Sequence, residues 1–294
     1  MSAQDNKEHI QILENGREYY DNEKIAYLLP HDIDECGRLE KQHRVFKYIF
    51  QKNFWAPVRK QLDEGITVLD SGCGPGSWAL DMAKDFPKSK FHGVDISNFF
   101  PDESKPDNCE FVIGNLTETL PFEDNTFDYI HQRLLILGLT NGGWKKSLSE
   151  LLRVLKPGGY IEILEVSAPN VKDLHNGGPL LVQVHVALAE MMESRDIPVT
   201  IATELKNRVT EAGFVNAVET LDFLPLNHSG RGGELIWSDY YHVYVNIRPM
   251  MTKSNPEWDN LEAYEKFLGE CATEAKTKET SLGWHIICAQ KPLN

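Results

Sequence analysis

The sequence predicts an α/β fold, with a central and mostly parallel sheet covered by helices on both faces. Three observations carry that expectation. Short apolar runs alternate with stretches of helical periodicity through the middle of the chain. The first run, Ile66 to Leu69, is β-branched and apolar, as a strand buried on both faces would be. A turn with Gly72, Gly74 and Gly76 then joins that strand to a helix. The 294 residues suffice for one large domain with additions.

The elements follow in order. Residues 1–15 are expected to be a frayed lead-in. Asp32 stands three residues before Glu35, the pattern of an N-cap with a capping-box partner. The segment Glu35 to Lys52 then carries Leu39, Val45, Phe46, Ile49 and Phe50 at helical spacing. Arg38, Gln42 and His43 on this helix form either a solvated face or a face lying over a ligand pocket. The core strands are expected at 66–70, 90–95, 109–113, 129–131 and 160–165. Helices at 75–86 and 144–155 fall between them, and Lys156-Pro-Gly-Gly159 turns into the fifth strand. Ser167 to Pro179 reads as a loop. Beyond it the pattern gives helices at 180–193 and 200–212, a strand at 215–224, helices at 231–244 and 258–276, and a last strand at 281–289. No linker separates a second domain. Residues 1–55 are expected to pack as a helical lid on a domain spanning 56–294, with helical insertions near 170–212 and 231–277.

Composition narrows the function. Apolar residues make up 41% and charged residues 25%, ordinary for a globular chain. The net charge of −14 argues against nucleic acid as a partner, since that needs clustered Lys and Arg. No apolar run is long enough to span a membrane. The N-terminus is polar, without the apolar core of a signal peptide. The 5 cysteines are far apart and include no C-x-x-C pair, so reduced thiols of a cytoplasmic protein are expected, and no metal site.

The chemistry concentrates at the strand ends. Asp70 closes the first strand, and Pro75 falls where a helix would begin with unpaired amides that favour a negative group. Asp95 ends the second strand, where an acid can accept both hydroxyls of a ribose. Asn115 and Leu116 follow the third, placed to meet an adenine edge and face, with Ile96 against the ring.

Four segments, taken together, identify a resemblance. Asp70-Ser-Gly-Cys-Gly-Pro-Gly76, Val94-Asp95-Ile-Ser, Leu120-Pro-Phe-Glu-Asp-Asn-Thr-Phe-Asp128 and Arg153-Val-Leu-Lys-Pro-Gly-Gly-Tyr160 look like successive motifs of class I S-adenosylmethionine-dependent methyltransferases. The strong likeness covers residues 65–166. The Tyr27-x-Leu-Pro-x-Asp32 stretch with Glu35, Arg38, Gln42 and His43, and His131-Gln-Arg133, are similar to the fungal LaeA-like group.

The resemblance implies a Rossmann-like sheet of seven strands in the order 3-2-1-4-5-7-6, with the last strand antiparallel. It implies S-adenosyl-L-methionine as cofactor. Gly72, Cys73 and Gly74 would run past its methionine part, Asp70 would reach its amino group, and Asp95 would take the ribose. Ile96, Asn115 and Leu116 would meet adenine, with Asn115 receiving a bond from the adenine amine. His131 and Gln132 would sit at the pocket mouth beside the sulfonium. His131 is then the candidate base, weighed against a neutral histidine bonded to backbone, and Arg133 is structural or orients substrate. Glu165, Tyr19, Tyr20, His175, Trp237, Tyr240 and Tyr241 are candidates for an acceptor pocket.

The expected activity is methyl transfer to a small-molecule acceptor of secondary-metabolite type. Two alternatives stand beside it. One is a LaeA-type regulator that binds the cofactor without transferring methyl. The other is a nicotinamide-dependent oxidoreductase, against which the short Gly72-x-Gly74-x-Gly76 spacing counts.

Overall fold

The structure is a computed structural model of the chain. It describes residues 10–12, 16–20, 26–101, 105–168, 170–252 and 254–294. The expected lead-in therefore lies outside the described residues, apart from 10–12.

A short antiparallel pair, β1 (Ile10–Ile12) and β2 (Glu18–Tyr20), precedes helices α1 (Ile33–Phe50) and α2 (Arg59–Glu64). The core follows as β3 (Thr67–Ser71), α3 (Ser77–Asp85), β4 (Lys90–Asp95), β5 (Cys109–Ile113), β6 (Phe127–Arg133), α4 (Asn141–Val154) and β7 (Leu155–Val166). The remainder is β8 (Leu174–His175), α5 (Pro179–Glu193), α6 (Ile201–Glu211), β9 (Val215–Pro225), α7 (Arg231–Met251), α8 (Leu261–Lys278) and β10 (Ser281–Gln290).

Strands β3, β4, β5, β6 and β7 pair in parallel, and β10 runs antiparallel to both β7 and β9. The path is β5-β4-β3-β6-β7-β10, with β9 on β10. Counting the seven long strands, this is the expected order 3-2-1-4-5-7-6. One addition is the two-residue β8, which pairs with Ser281 and Leu282, beyond the part of β10 that pairs with β7.

Alternation along each strand feeds two cores. Val68, Phe91 and Tyr129 face α2 and α3, where Leu62, Trp78 and Met82 close the smaller cluster. Leu69, Ile130 and Ile161 face Trp144, Leu148 and Leu151 of α4 in a larger cluster that continues into α5, α7 and α8. The spacing of those three α4 residues puts them on one helical face. Thr140 caps α4, its hydroxyl accepting the Gly143 amide at 3.0 Å.

Three of the differences from the expected boundaries have a clear local reason. Helix α3 starts at Ser77, because Gly76 adopts φ 80° at its N-cap and leaves Pro75 in the turn. A Cβ on Gly76 would lie 2.4 Å from the Phe111 ring, so only glycine fits there. Strand β6 continues to Arg133 instead of stopping at residue 131. The Lys156–Gly159 turn lies inside β7, as a register shift between the Phe127–Leu155 and Tyr129–Tyr160 pairs.

Candidate functional site

A cavity of about 650 Å³ opens along the carboxyl ends of the parallel strands. That is where an open α/β sheet presents ligands to its loops. Asp70 of β3, Asp95 of β4 and Arg133 of β6 line it, with Ile96, Asn115 and Leu116 from the adjoining loops. Helices α1 and α7 cover it.

The glycine turn forms one wall, through Gly72, Cys73 and Gly74. Its amides are spent inside the protein. Gly72 and Cys73 both donate to the Val94 carbonyl, at 2.8 and 3.1 Å. Gly74 donates to Asp95 Oδ2 at 2.8 Å, and Gly76 donates to the Cys73 carbonyl at 3.0 Å. Pro75 has no amide hydrogen. The amides across 72–76 are therefore spent within the protein and are not free for a negative group.

Carboxylates supply the polar contacts instead. Asp70 is 3% exposed. Its Oδ1 accepts a hydrogen bond from His131 Nδ1 at 2.9 Å, and its Oδ2 has no partner among the described residues. A buried carboxylate oxygen left so is a site for a donor, best a cationic one. Asp95 accepts the amides of Gly74 and Ser97 at 2.8 and 2.9 Å. Each oxygen retains a lone pair for a ligand hydroxyl. Burial pushes the Asp95 pKa up, against the pull of those amides. Asn115 Oδ1 accepts both the amide and the hydroxyl of Thr117, at 2.9 and 2.8 Å. Its oxygen is thus occupied, and the amide group it offers to a ligand is a donor. This reverses the expected sense of the Asn115 bond.

His131 and Gln132 are corrected more fully. Neither lines the cavity. In the β3–β6 register His131 stands opposite Asp70 and Gln132 opposite Ser71, inside the sheet and not at its rim. Because β6 runs on, the residue that reaches the cavity is Arg133. His131 stacks on Trp78 with ring centroids 3.8 Å apart and planes 4° apart. It is 2% exposed and bonded to Asp70, away from the cavity where a base would have to meet an acceptor. Gln132 accepts from the Ser71 hydroxyl at 3.0 Å.

The N-terminal helix contributes buried polar groups. Asp32 caps α1 by accepting the Glu35 amide at 3.0 Å, but Glu35 turns away to Arg38 and Asn246, so the capping box is half made. Arg38 bridges Glu35 at 2.6 Å and Asp239 of α7 at 2.7 Å. Gln42 also donates to Asp239, at 2.8 Å. Arg38 and Gln42 line the cavity, whereas His43 does not. Two carboxylates around one guanidinium leave the trio at a formal −1, and burial pushes the Glu35 pKa up against the pull of Arg38.

Away from Asp95 the lining turns apolar, with Leu135, Val166, Leu188, Val243 and Trp284 among its walls. Of the residues expected around an acceptor, Tyr20 and Tyr240 line the cavity, and Tyr19, His175, Trp237, Tyr241 and Glu165 do not. Glu165 instead accepts the Leu135 and Ile136 amides at 2.7 and 3.2 Å, just after Leu134 takes φ 55°. It holds the loop that forms the wall.

The comparisons with known proteins bear on this arrangement. Residues 68–159 match the family described as a methyltransferase domain. The chain is 30% identical over 293 residues to the secondary metabolism regulator LaeA of Aspergillus niger, covering 95% of this chain and 76% of that protein. The chain belongs to the LaeA-like S-adenosylmethionine-dependent methyltransferases. The LaeA-like chain is also 27% identical over 305 residues to the N-methyltransferase VerN of Clonostachys rogersoniana, covering 97% of this chain and 99% of that one. Its fold resembles phosphoethanolamine N-methyltransferase 2 of Haemonchus contortus, solved with S-adenosyl-L-methionine, at TM-score 0.50 and 19% identity. That match covers 86% of this chain and 57% of the other.

S-Adenosyl-L-methionine is the cofactor of this methyltransferase, and the residues present fit it. The unpartnered Asp70 oxygen suits its ammonium, and the Asp95 carboxylate suits a ribose hydroxyl. Among the described residues, no group of acids, histidines and cysteines could hold a metal. No helix among them is long and apolar enough to cross a membrane.

Proposed function

We propose that this LaeA-like methyltransferase transfers a methyl group to a small, largely apolar acceptor of the secondary-metabolite kind. The observation that carries the reading is one continuous cavity with two unlike ends. The polar end has Asp70, Asp95 and Asn115, and the apolar end has Leu188, Val243 and Trp284.

Bound there, the cofactor supplies a sulfonium methyl that is already activated, so the protein has mainly to align an acceptor with it. Asp70 Oδ2 would hold the ammonium, and Asp95 would accept from the ribose hydroxyls. Asn115 would donate to the adenine, with Ile96 and Leu116 against it, and Gly72, Cys73 and Gly74 would form the wall along the methionine part. Helices α1 and α7 keep water from the reacting end, within the proposed lid of residues 1–55 and the proposed insertion at 231–277. Glu35 and Asp239 are both held by Arg38, and His131 is turned into the sheet, so alignment and not a dedicated base is proposed as the main source of rate. The net charge of −14 supports an acceptor other than nucleic acid. The five cysteines are free thiols, which supports a reducing compartment, and the cytoplasm is the proposed location.

A second reading has its own support, since relatives at this identity are named as regulators of secondary metabolism. In that reading the protein binds the cofactor and acts through a partner. Incubation with cofactor and small-molecule extract separates the two: formation of S-adenosylhomocysteine that depends on extract supports transfer, and binding without turnover supports regulation.

A further inference from the structure

Arg133 lies at the cavity without a close ion pair among the described residues, and Asp70, Asp239 and Asp81 act on its charge only from a distance. Of its five N–H donors, one points to His43 Nδ1 at 3.1 Å, and the Phe46 ring lies 5.5 Å away. Among the described residues no carboxylate forms an ion pair with it, in contrast to Arg38, which has two. His43 orients the guanidinium without neutralising it. The His43 Nε2–H donates to Asp81 at 3.3 Å, which leaves the Nδ1 lone pair for Arg133. Burial lowers the His43 pKa despite Asp81, so that ring stays neutral. Asp81 is itself held by Lys47 at 2.6 Å.

The sheet register then sets Arg133 against Asp70. His131 is opposite Asp70 and Gln132 opposite Ser71, so Arg133 is the next residue out, beside the glycine turn. Strands about 4.8 Å apart and a rise of about 3.3 Å per residue put the two Cα atoms roughly 8 Å apart. A carboxylate with one unpartnered oxygen and a guanidinium without a close ion pair thus line one cavity from neighbouring strand ends. That is the complement of an α-amino acid, which carries ammonium and carboxylate on a single carbon.

We propose that Arg133 is a carboxylate anchor, and that with Asp70 it grips the amino-acid end of the cofactor. The inference rests on the cofactor orientation proposed above. The same guanidinium chemistry would accept a carboxylate on the acceptor, so the test separates the two sources.

Calorimetry decides it, with S-adenosylhomocysteine and its decarboxylated analogue as ligands for the wild type, Arg133→Met and Arg133→Lys. Arg133→Met is expected to weaken S-adenosylhomocysteine roughly ten- to hundredfold, the usual range for a charge-assisted bond. It should leave the decarboxylated analogue within about twofold. Arg133→Lys keeps the charge without the fork, should show a smaller loss in the same pattern, and carries the test if the Met variant does not fold. Equal losses for both ligands would mean a structural role and overturn the proposal. Unchanged S-adenosylhomocysteine binding with lowered methyl transfer would assign the anchor to the acceptor, and overturn it too. If the wild type bound neither ligand, the cofactor orientation would fail before Arg133 came into question.

Discussion

His131 Nδ1 donates to Asp70 Oδ1 at 2.9 Å, and the other oxygen of that carboxylate has no hydrogen-bond partner among the described residues. The pair divides the labour of one side chain. One oxygen is fixed by an imidazole that is itself stacked flat on Trp78, and the second is buried without a partner among the described residues, on a side chain that lines the cavity. A ligand that finds Asp70 so held pays little to order it, which is the benefit of preorganisation.

Removal of the charge should therefore act on binding before anything else. Asp70→Asn keeps the shape and an acceptor for His131 but loses the anion. The variant should bind S-adenosylhomocysteine roughly ten- to hundredfold more weakly by calorimetry, from a loss of about 1.5–3 kcal/mol. An unchanged affinity would show that the orphaned oxygen is not a ligand group.

The turn beside it tolerates no side chain at Gly76. With φ 80° and a Cβ position 2.4 Å from Phe111, Gly76→Ala combines backbone strain with overpacking. The two effects together should cost about 2–4 kcal/mol in urea unfolding. A loss below about 0.5 kcal/mol would mean that the Phe111 ring moves aside freely.

At the apolar end the expectation is the opposite split. Val243 lines the cavity from α7 and is only partly buried. Val243→Trp should fill acceptor space, leaving S-adenosylhomocysteine affinity within about twofold while methyl transfer falls at least roughly tenfold. Parallel loss of both would merge the two ends into one binding region.

Glu165 makes a pH prediction. Burial pushes its pKa up to about 8, although two amides from the Leu135–Ile136 turn pull the other way. An unfolded glutamate titrates near about 4.3. The folded state therefore holds this proton more tightly. Its contribution to stability is full below the unfolded pKa and is lost as pH rises through that interval towards about 8, by a few kcal/mol at most. In melts between about pH 4 and pH 8.5, roughly bracketing that window, the wild type should lose more stability than Glu165→Gln. Parallel pH profiles would contradict the shift.

What the sequence disclosed follows the range of the interactions. Ile66–Leu69, the glycine turn and Asp95 announce themselves locally, because a buried strand, a positive-φ turn and a strand-end acid each need particular residues within a few positions. The order of the seven long strands followed from the family likeness those residues carry. The packing of the N-terminal helix was less legible. Arg38 on α1 is buried only because Asp239 meets it from 201 residues away, and nothing near Arg38 in the chain signals that partner. His131 was misplaced by a boundary: an end at residue 131 puts it at the pocket mouth, and the observed end at Arg133 puts it inside the sheet. Trp284 and Leu188 read as ordinary core residues, since an apolar cavity wall has the same periodicity as a packed interior.

The central claim is that one cavity joins the cofactor to a small-molecule acceptor. The most direct test is mass spectrometry of a small-molecule extract incubated with the protein and cofactor carrying an isotopically labelled methyl group. The account predicts a low-molecular-weight compound that gains the label with wild-type protein and gains little or none with Val243→Trp. Tight cofactor binding with no labelled small molecule, or label found only on protein, would contradict it.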